Sequence, residues 1–305
     1  MLAELERRAQ RPVSALFDLV AGTSTGGIIA CALALPDAGG APRWRAEDLV
    51  ELYRHEGPRI FARSLGRRVV SGWGLIDEKY DDDALQDALG RFLGEARLSE
   101  ALVDVLVTAY DLEARAPFFF KSWRTVAEPA RDHRLRDAAR ATAGAPTYFE
   151  PILLEAAGPP SGVAGGSTRF SLVDGGVFAT NPAMCAYAEA RRRFPGADVR
   201  VVSLGTGRLC RPIRHADARD WGLLEWVRPL IDVVFDGVAD TVEYQLEQLL
   251  EPDRYDRFQV TLTDGASDAL DDASAENVAA LEARGRELIA TGGDALDRLA
   301  RELSR

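Results

Sequence analysis

Apolar positions along the chain switch repeatedly between strand and helix periods, and the most condensed instance is Phe17 to Leu35, FDLVAGTSTGGIIACALAL. Phe17 to Ala21 is an apolar run of strand length, Gly22 to Gly27 are all very small residues, and Ile28 to Leu35 is continuously apolar, the pattern of a strand, a tight turn and a buried helix. Upstream, Met1 to Gln10 places Leu2, Leu5 and Ala9 on one helical face and Glu4, Glu6, Arg7 and Arg8 mostly elsewhere. No Ser, Thr, Asp or Asn precedes this helix as a cap, so it is expected to be the latter part of a structure that starts further upstream.

Downstream, Pro36 to Ala46 is a surface loop, and Glu47 to Phe61 resumes helical spacing through Leu49, Leu52, Tyr53 and Ile60. Arg59 to Trp73 interleaves arginines with large apolar residues; a helix and loop packed on the domain is expected in preference to a lid that touches lipid. Asp81, Asp82 and Asp83 precede the helical stripe Leu85, Ala88, Leu89 and Phe92, where carboxylates suit a helix start better than a metal. Val103 to Tyr110 and Pro117 to Trp123 read as a strand pair joined by a short polar connection, and Leu135 to Ala141 as a short helix ended near Pro146. Phe170 to Val173 and Val199 to Leu204 are strands, closed by Asp174-Gly175-Gly176 and by Gly205-Thr206-Gly207, and the second of these turns reads as structural. Asn181-Pro182 opens a helix over Ala183 to Phe194, Trp221 to Leu250 is helical, and Arg257 to Leu262 is a last strand. Val278, Leu281 and Leu288 stripe a helix ended by Gly292-Gly293, and Leu296, Leu299 and Leu303 stripe a final one. No internal repeat interrupts this, and the glycine- and proline-rich Glu155 to Arg169 is an excursion rather than a linker, so residues 1–305 are expected to form one α/β domain.

Composition narrows the function classes. The 305 residues carry a net charge of −11, with Lys79 and Lys121 as the only lysines, which argues against nucleic acid as a partner. Cys31, Cys185 and Cys210 are odd in number and scattered, the usage of a reducing compartment, and no apolar run approaches the ~18 residues that span a bilayer, so a cytoplasmic chain with at most peripheral membrane contact is expected. No metal cluster or cofactor fingerprint is present: the histidines and cysteines are dispersed, and GTSTGG lacks the lysine of a phosphate-binding loop.

The chemistry rests on Gly22-Thr23-Ser24-Thr25-Gly26, a G-x-S-x-G nucleophile elbow in the strand–turn–helix setting that such a motif needs. Glycines at both flanks keep Cβ atoms off the neighbouring backbone, and the helix that follows turns its N–H groups toward the serine. A serine hydroxyl needs a base. His55, His133 and His215 each sit in charged stretches and read as solvated residues, although His215 follows Ser24 and Asp174 in the order of α/β-hydrolases. That fold builds several strands ahead of its nucleophile, for which there is no room here. The alternative is Asp174, at the carboxyl end of a strand, as a partly desolvated carboxylate that accepts the serine proton itself.

With these residues in view, the chain resembles the patatin-like phospholipases over nearly its whole length. The resemblance is carried by Gly22 to Gly26, by AGAPTYF over Ala143 to Phe149, by Asp174-Gly175-Gly176 with Asn181-Pro182, and by Ser203 to Gly207. It implies a three-layer α/β/α fold with a mostly parallel central sheet, Ser24 as nucleophile, Asp174 as base, and hydrolysis of acyl esters of phospholipids or lysophospholipids through an acyl-enzyme, with transient contact at a membrane surface. It also implies a first strand and a loop of the form D-G-G-G-x-R-G ahead of the elbow, which supplies oxyanion donors; these are expected to be missing from this chain, leaving the Thr25 N–H. A transacylase on the same dyad, or a lipid-binding module without a working oxyanion hole, are the alternatives.

Overall fold

The computed structural model describes residues 1–61, 80, 82–158, 168–209, 213–263 and 265–304. In chain order the elements are α1 (Leu2–Ala9), β1 (Leu19–Gly22), α2 (Thr25–Leu33), α3 (Ala46–Ile60), α4 (Asp82–Leu93), β2 (Asp104–Asp111), β3 (Ala116–Lys121), α5 (Leu135–Ala143), β4 (Ile152–Glu155), β5 (Arg169–Asp174), α6 (Gly176–Ala179), α7 (Ala183–Arg193), β6 (Val201–Leu204), β7 (Arg208–Leu209), α8 (His215–Ala218), α9 (Leu223–Leu249), β8 (Tyr255–Phe258), β9 (Thr261–Leu262), α10 (Ala275–Thr291) and α11 (Gly293–Leu303). Most of the segment Arg59 to Trp73, expected as a helix and loop packed on the domain, lies outside the described residues, as do 159–167 within the glycine-rich excursion.

The chain divides into two compact units: Leu2–Phe178 with Asp294–Arg305, and Ala179–Gly293 with Met1. The larger unit is built on a mixed five-stranded sheet. Its architecture, helices against a central sheet, is the α/β class expected. Among the described residues, parallel pairing in this sheet is confined to β1 with β2, whereas β3 and β5 each run antiparallel to β2, and β4 antiparallel to β5. For β3 the reason is local: Asp111 ends β2 and accepts the N–H groups of Glu113 and Ala114, closing a short turn that sends β3 straight back along β2. The apolar helix α2 lies against β1, β2 and α5, and Cys31, Leu33, Leu93, Val105, Val107, Leu135 and Leu172 are among the fully enclosed members of the core. Burial pushes the Cys31 thiol up to about 12, so this cysteine is an inert part of that core.

Glu6 lies off the apolar face of α1 in sequence, yet the fold encloses it. It is buried, and its two carboxylate oxygens accept the N–H groups of Val13 at 2.8 Å and of Ala46, the first residue of α3, at 3.0 Å. His133 is a correction. It is 3% exposed rather than solvated, packed edge-on against Phe120 and Phe170, and burial lowers its pKa to about 4, so it is a neutral core residue. In α11, Leu296 and Leu299 are core residues, as their spacing predicts.

In the smaller unit β6 pairs parallel with β8 and β7 with β9. The sequence expectation of one strand over Arg257 to Leu262 is met by β8 and β9 with a break between them. Gly207, at φ +102°, lies where a Cβ would meet Leu262 at 2.5 Å, in keeping with a structural turn. Asn181 accepts the N–H of Ala183 at the start of α7.

Candidate active site

The register of β2 explains how residues 150 positions apart in the chain come together. Leu106 and Val107 pair with both β1 and β3, and Ala109, Tyr110 and Asp111 pair with both β3 and β5. A strand has two edges. Since β3 holds one along this stretch, β1 and β5 must share the other, β1 running parallel to β2 and β5 antiparallel. They therefore meet head-on. The last residue of β1, Gly22, is opposite Val107, and the last of β5, Asp174, is opposite Ala109. Two residues of strand are roughly 7 Å, and both chains leave the sheet at that gap, beside Thr108.

The elbow is the departure of β1. Ser24 stands at φ 55°, ψ −129°, a strained backbone for a residue with a side chain, and it immediately precedes α2 at its N-terminal cap. Gly22 is required as expected, because a Cβ there would lie 2.0 Å from the Gly26 carbonyl oxygen. Gly26 is a correction: a Cβ there meets nothing within 4 Å, and the second crowded position is Gly27, whose Cβ would lie 2.5 Å from the Thr142 methyl. The N–H of Ser24 donates to Thr142 Oγ1 at 2.8 Å, and Thr23 Oγ1 lies 2.7 Å from Thr108 Oγ1.

The departure of β5 is the Asp174-Gly175-Gly176 turn. A Cβ on Gly175 would sit 2.2 Å from Thr108 Oγ1, so this glycine lets the turn cross directly over β2. Gly176 donates its N–H to Asp174 Oδ1 at 2.7 Å, and the Asp174 N–H donates to the Gly144 carbonyl at 3.0 Å. The Ser24 side chain stands beside the Asp174 carboxyl and favours its ionised form. Asp174 is 5% exposed, and burial raises its pKa to about 6, an effect opposed by Ser24 and by the Gly176 N–H. Ser24 is half-buried and Thr25 exposed.

The donors of the first helical turn are largely taken: Gly26 N–H by the Thr23 carbonyl and Gly27 N–H by the Ser24 carbonyl. Thr25 N–H has no acceptor among the described residues, and Tyr53 from α3 donates its hydroxyl to the Thr25 carbonyl at 3.3 Å. His55 and His215 are exposed, on α3 and at the start of α8. Sequence reasoning gathered Ser24, Asp174 and their glycines but missed Thr108, Thr142 and Gly27. The signal for the threonines is faint, one threonine in the mainly apolar strand segment VLVTAY and one in the alanine-rich helical segment AARATAG.

The family model described as patatin-like phospholipase matches residues 2–187, a span that includes the elbow, the Asp174 turn and the α5 segment between them. The chain belongs to the patatin-like phospholipase family. Patatin-like protein 1 of Arabidopsis thaliana is 28% identical over 320 residues, covering 94% of this chain and 75% of that protein. Patatin-like protein 2 of Oryza sativa subsp. indica is 30% identical over 319 residues, covering 91% and 76%. A protein named probable inactive patatin-3-Kuras 1, of Solanum tuberosum, is 27% identical over 307 residues, covering 94% and 79%. Membership carries lipid acyl hydrolysis as the family-level activity and lipids as the substrate class. No described helix is long and apolar enough to cross a membrane.

Proposed function

We propose that this patatin-like chain cleaves acyl esters of phospholipids or lysophospholipids through an acyl-enzyme on Ser24, with Asp174 as general base. The observation that carries the reading is the meeting of the β1 and β5 turns beside Thr108, which puts a half-buried serine next to a carboxylate whose burial lifts its pKa to about 6. A base must bind the proton strongly enough to take it yet be ionised at working pH. An ordinary aspartate near pH 7 meets only the second condition, whereas Asp174 meets both.

Ser24 Oγ attacks the acyl carbonyl carbon as its proton passes to Asp174, and the carbonyl oxygen becomes an oxyanion. The Thr25 N–H and the positive end of α2 face that charge. Collapse of the adduct expels the alcohol, which takes the proton from Asp174 and leaves the acyl group on Ser24. Water then attacks the acyl-enzyme, Asp174 accepts its proton, and the fatty acid leaves with Ser24 Oγ reprotonated. No histidine or metal takes part in this route. A glycine-rich segment upstream of α1 would add oxyanion donors, and the loss of one donor in such sites costs about 10²–10³ in rate.

The test is turnover of a lysophospholipid and of a long-chain aryl ester by the parent, S24A, D174N and H215A. Loss in S24A and D174N with retention in H215A is expected. Full loss in H215A, or activity surviving in S24A, overturns the dyad. Product analysis with an added alcohol separates hydrolysis from acyl transfer, and lysolipid binding without turnover would leave a binding module.

A further inference from the structure

The nucleophile's main chain is held by a side chain that takes no part in the acyl transfer. Thr142 lies in the last turn of α5 and is wholly buried, and its Oγ1 accepts the Ser24 N–H at 2.8 Å. Its methyl lies 2.5 Å, and its Oγ1 3.2 Å, from where a Gly27 Cβ would be, so the absence of a side chain at residue 27 is what seats the threonine against the elbow helix. Two residues further on, the Gly144 carbonyl accepts the Asp174 N–H at 3.0 Å. One turn of chain, residues 142–144, therefore ties the main chains of both nucleophile and base to the same helix end.

We propose that Thr142 is a positioning residue: by accepting the Ser24 N–H it holds the elbow in the left-handed backbone from which Ser24 Oγ meets Asp174. This rests on the dyad reading above. Without the hydroxyl, the Ser24 N–H faces a buried wall with no acceptor, at a residue whose φ of 55° is already strained. Relaxation of that residue swings Oγ away from the carboxylate. Because Thr142 is wholly buried, it does not touch substrate, and the change falls on kcat and not on KM. Displacements of this kind cost up to about 100-fold in rate.

The test compares the parent with T142V, which keeps the shape and removes the hydroxyl, and T142S, which keeps the hydroxyl and removes the methyl. Three readouts are taken: ester turnover, the rate at which a fluorophosphonate labels Ser24, and amide hydrogen exchange of Ser24 in 15N-serine-labelled protein, its resonance identified by its loss in S24A. T142V is expected to lower kcat and the labelling rate by about 10- to 100-fold with KM within about twofold, and to speed Ser24 exchange, while T142S stays close to the parent in all three. Turnover and labelling in T142V as fast as in the parent overturn the proposal, as does equal impairment in T142S, which would assign the effect to the methyl. If T142V does not fold, T142S against T142A isolates the hydroxyl in proteins that both lack the methyl, and equal rates in that pair overturn it. A folded parent whose Ser24 resists the reagent overturns the dyad reading instead, and Ser24 exchange then decides alone whether Thr142 holds the elbow.

Discussion

Replacing Asp174 with asparagine should remove activity and make the fold more stable, in a pH-dependent way that can be worked out in advance. In water an aspartate titrates near 3.8; in this fold Asp174 titrates near 6, with burial as the largest cause. The sign follows from proton counting. Between these two pH values the folded chain holds a proton that the unfolded chain has lost, so stability falls as pH rises through the window. Above about pH 6 the cost is complete. A difference of about 2 units at 1.36 kcal/mol each is about 3 kcal/mol, set by the desolvated carboxylate and already net of the opposing effects of Ser24 and Gly176. Asparagine keeps an acceptor for the Gly176 N–H and carries no charge. The D174N protein should therefore be more stable than the parent by about 2–3 kcal/mol at pH 8, with a transition about 5–10 °C higher, and nearly equal to it at pH 4. His133, whose lowered pKa makes its own contribution fade as pH falls, is present in both proteins and cancels in the difference. Thermal unfolding followed by circular dichroism at pH 4, 5, 6, 7 and 8 supplies the comparison. A D174N protein no more stable than the parent at pH 8, or a gap that is the same at pH 4 and pH 8, would show that folding does not raise the Asp174 pKa.

For the parent enzyme, kcat/KM should rise with unit slope through about pH 6 and then level, because Asp174 must be ionised to accept the Ser24 proton; a profile still rising at pH 8 would point to a different base. S24A, D174N and the double variant should lose similar amounts of activity, since the two groups act in one step, and multiplicative losses would speak against a dyad. Among the elbow glycines, G22A and G27A should each destabilise by about 1–3 kcal/mol through overlap. G26A should leave stability unchanged or raise it by up to about 1 kcal/mol, a helical glycine with open space at its Cβ, and equal losses for all three in urea unfolding would contradict this ordering. E6A leaves the buried N–H groups of Val13 and Ala46 without an acceptor and should cost about 2–4 kcal/mol, checked by the same urea transition, with a loss below about 0.5 kcal/mol as the failing result.

The parts legible in the sequence are those whose signal is local. The elbow could be read because strand, small residues and helix are consecutive, and the α11 stripe because Leu296, Leu299 and Leu303 repeat at helical spacing. The need for glycine at residue 22 is legible because its obstacle, the Gly26 carbonyl, is four residues away. That Gly27 and not Gly26 is the second crowded position is not legible, because the deciding neighbour, Thr142, lies more than a hundred positions further along the chain. The same holds for Glu6, whose partners Val13 and Ala46 are ordinary loop and helix positions until α1 and α3 come together, and for His133, whose charged neighbours in sequence are not its neighbours in space. Periodicity reports which face of an element is buried. It does not report what a buried polar atom will meet.

That limit bears on how the site works. Ser24 at positive φ and Asp174 stripped of water are each unfavourable alone, and each is held by contacts to β2 and the end of α5. Thr108 separates the ends of β1 and β5 and lies under both departing turns, through its bond to Thr23 and its contact with Gly175. A shift in either turn is therefore felt by the other through a residue that touches both. The head-on meeting of two strands along one edge of β2 sets the separation of the dyad by the spacing of main-chain hydrogen bonds, which is far stiffer than side-chain reach. The two motifs, although remote in sequence, are for this reason expected to tolerate substitution only together: G175A, which crowds Thr108, should slow Ser24 labelling as well as impair Asp174, and the combination with T142V should cost less than the product of the two single losses.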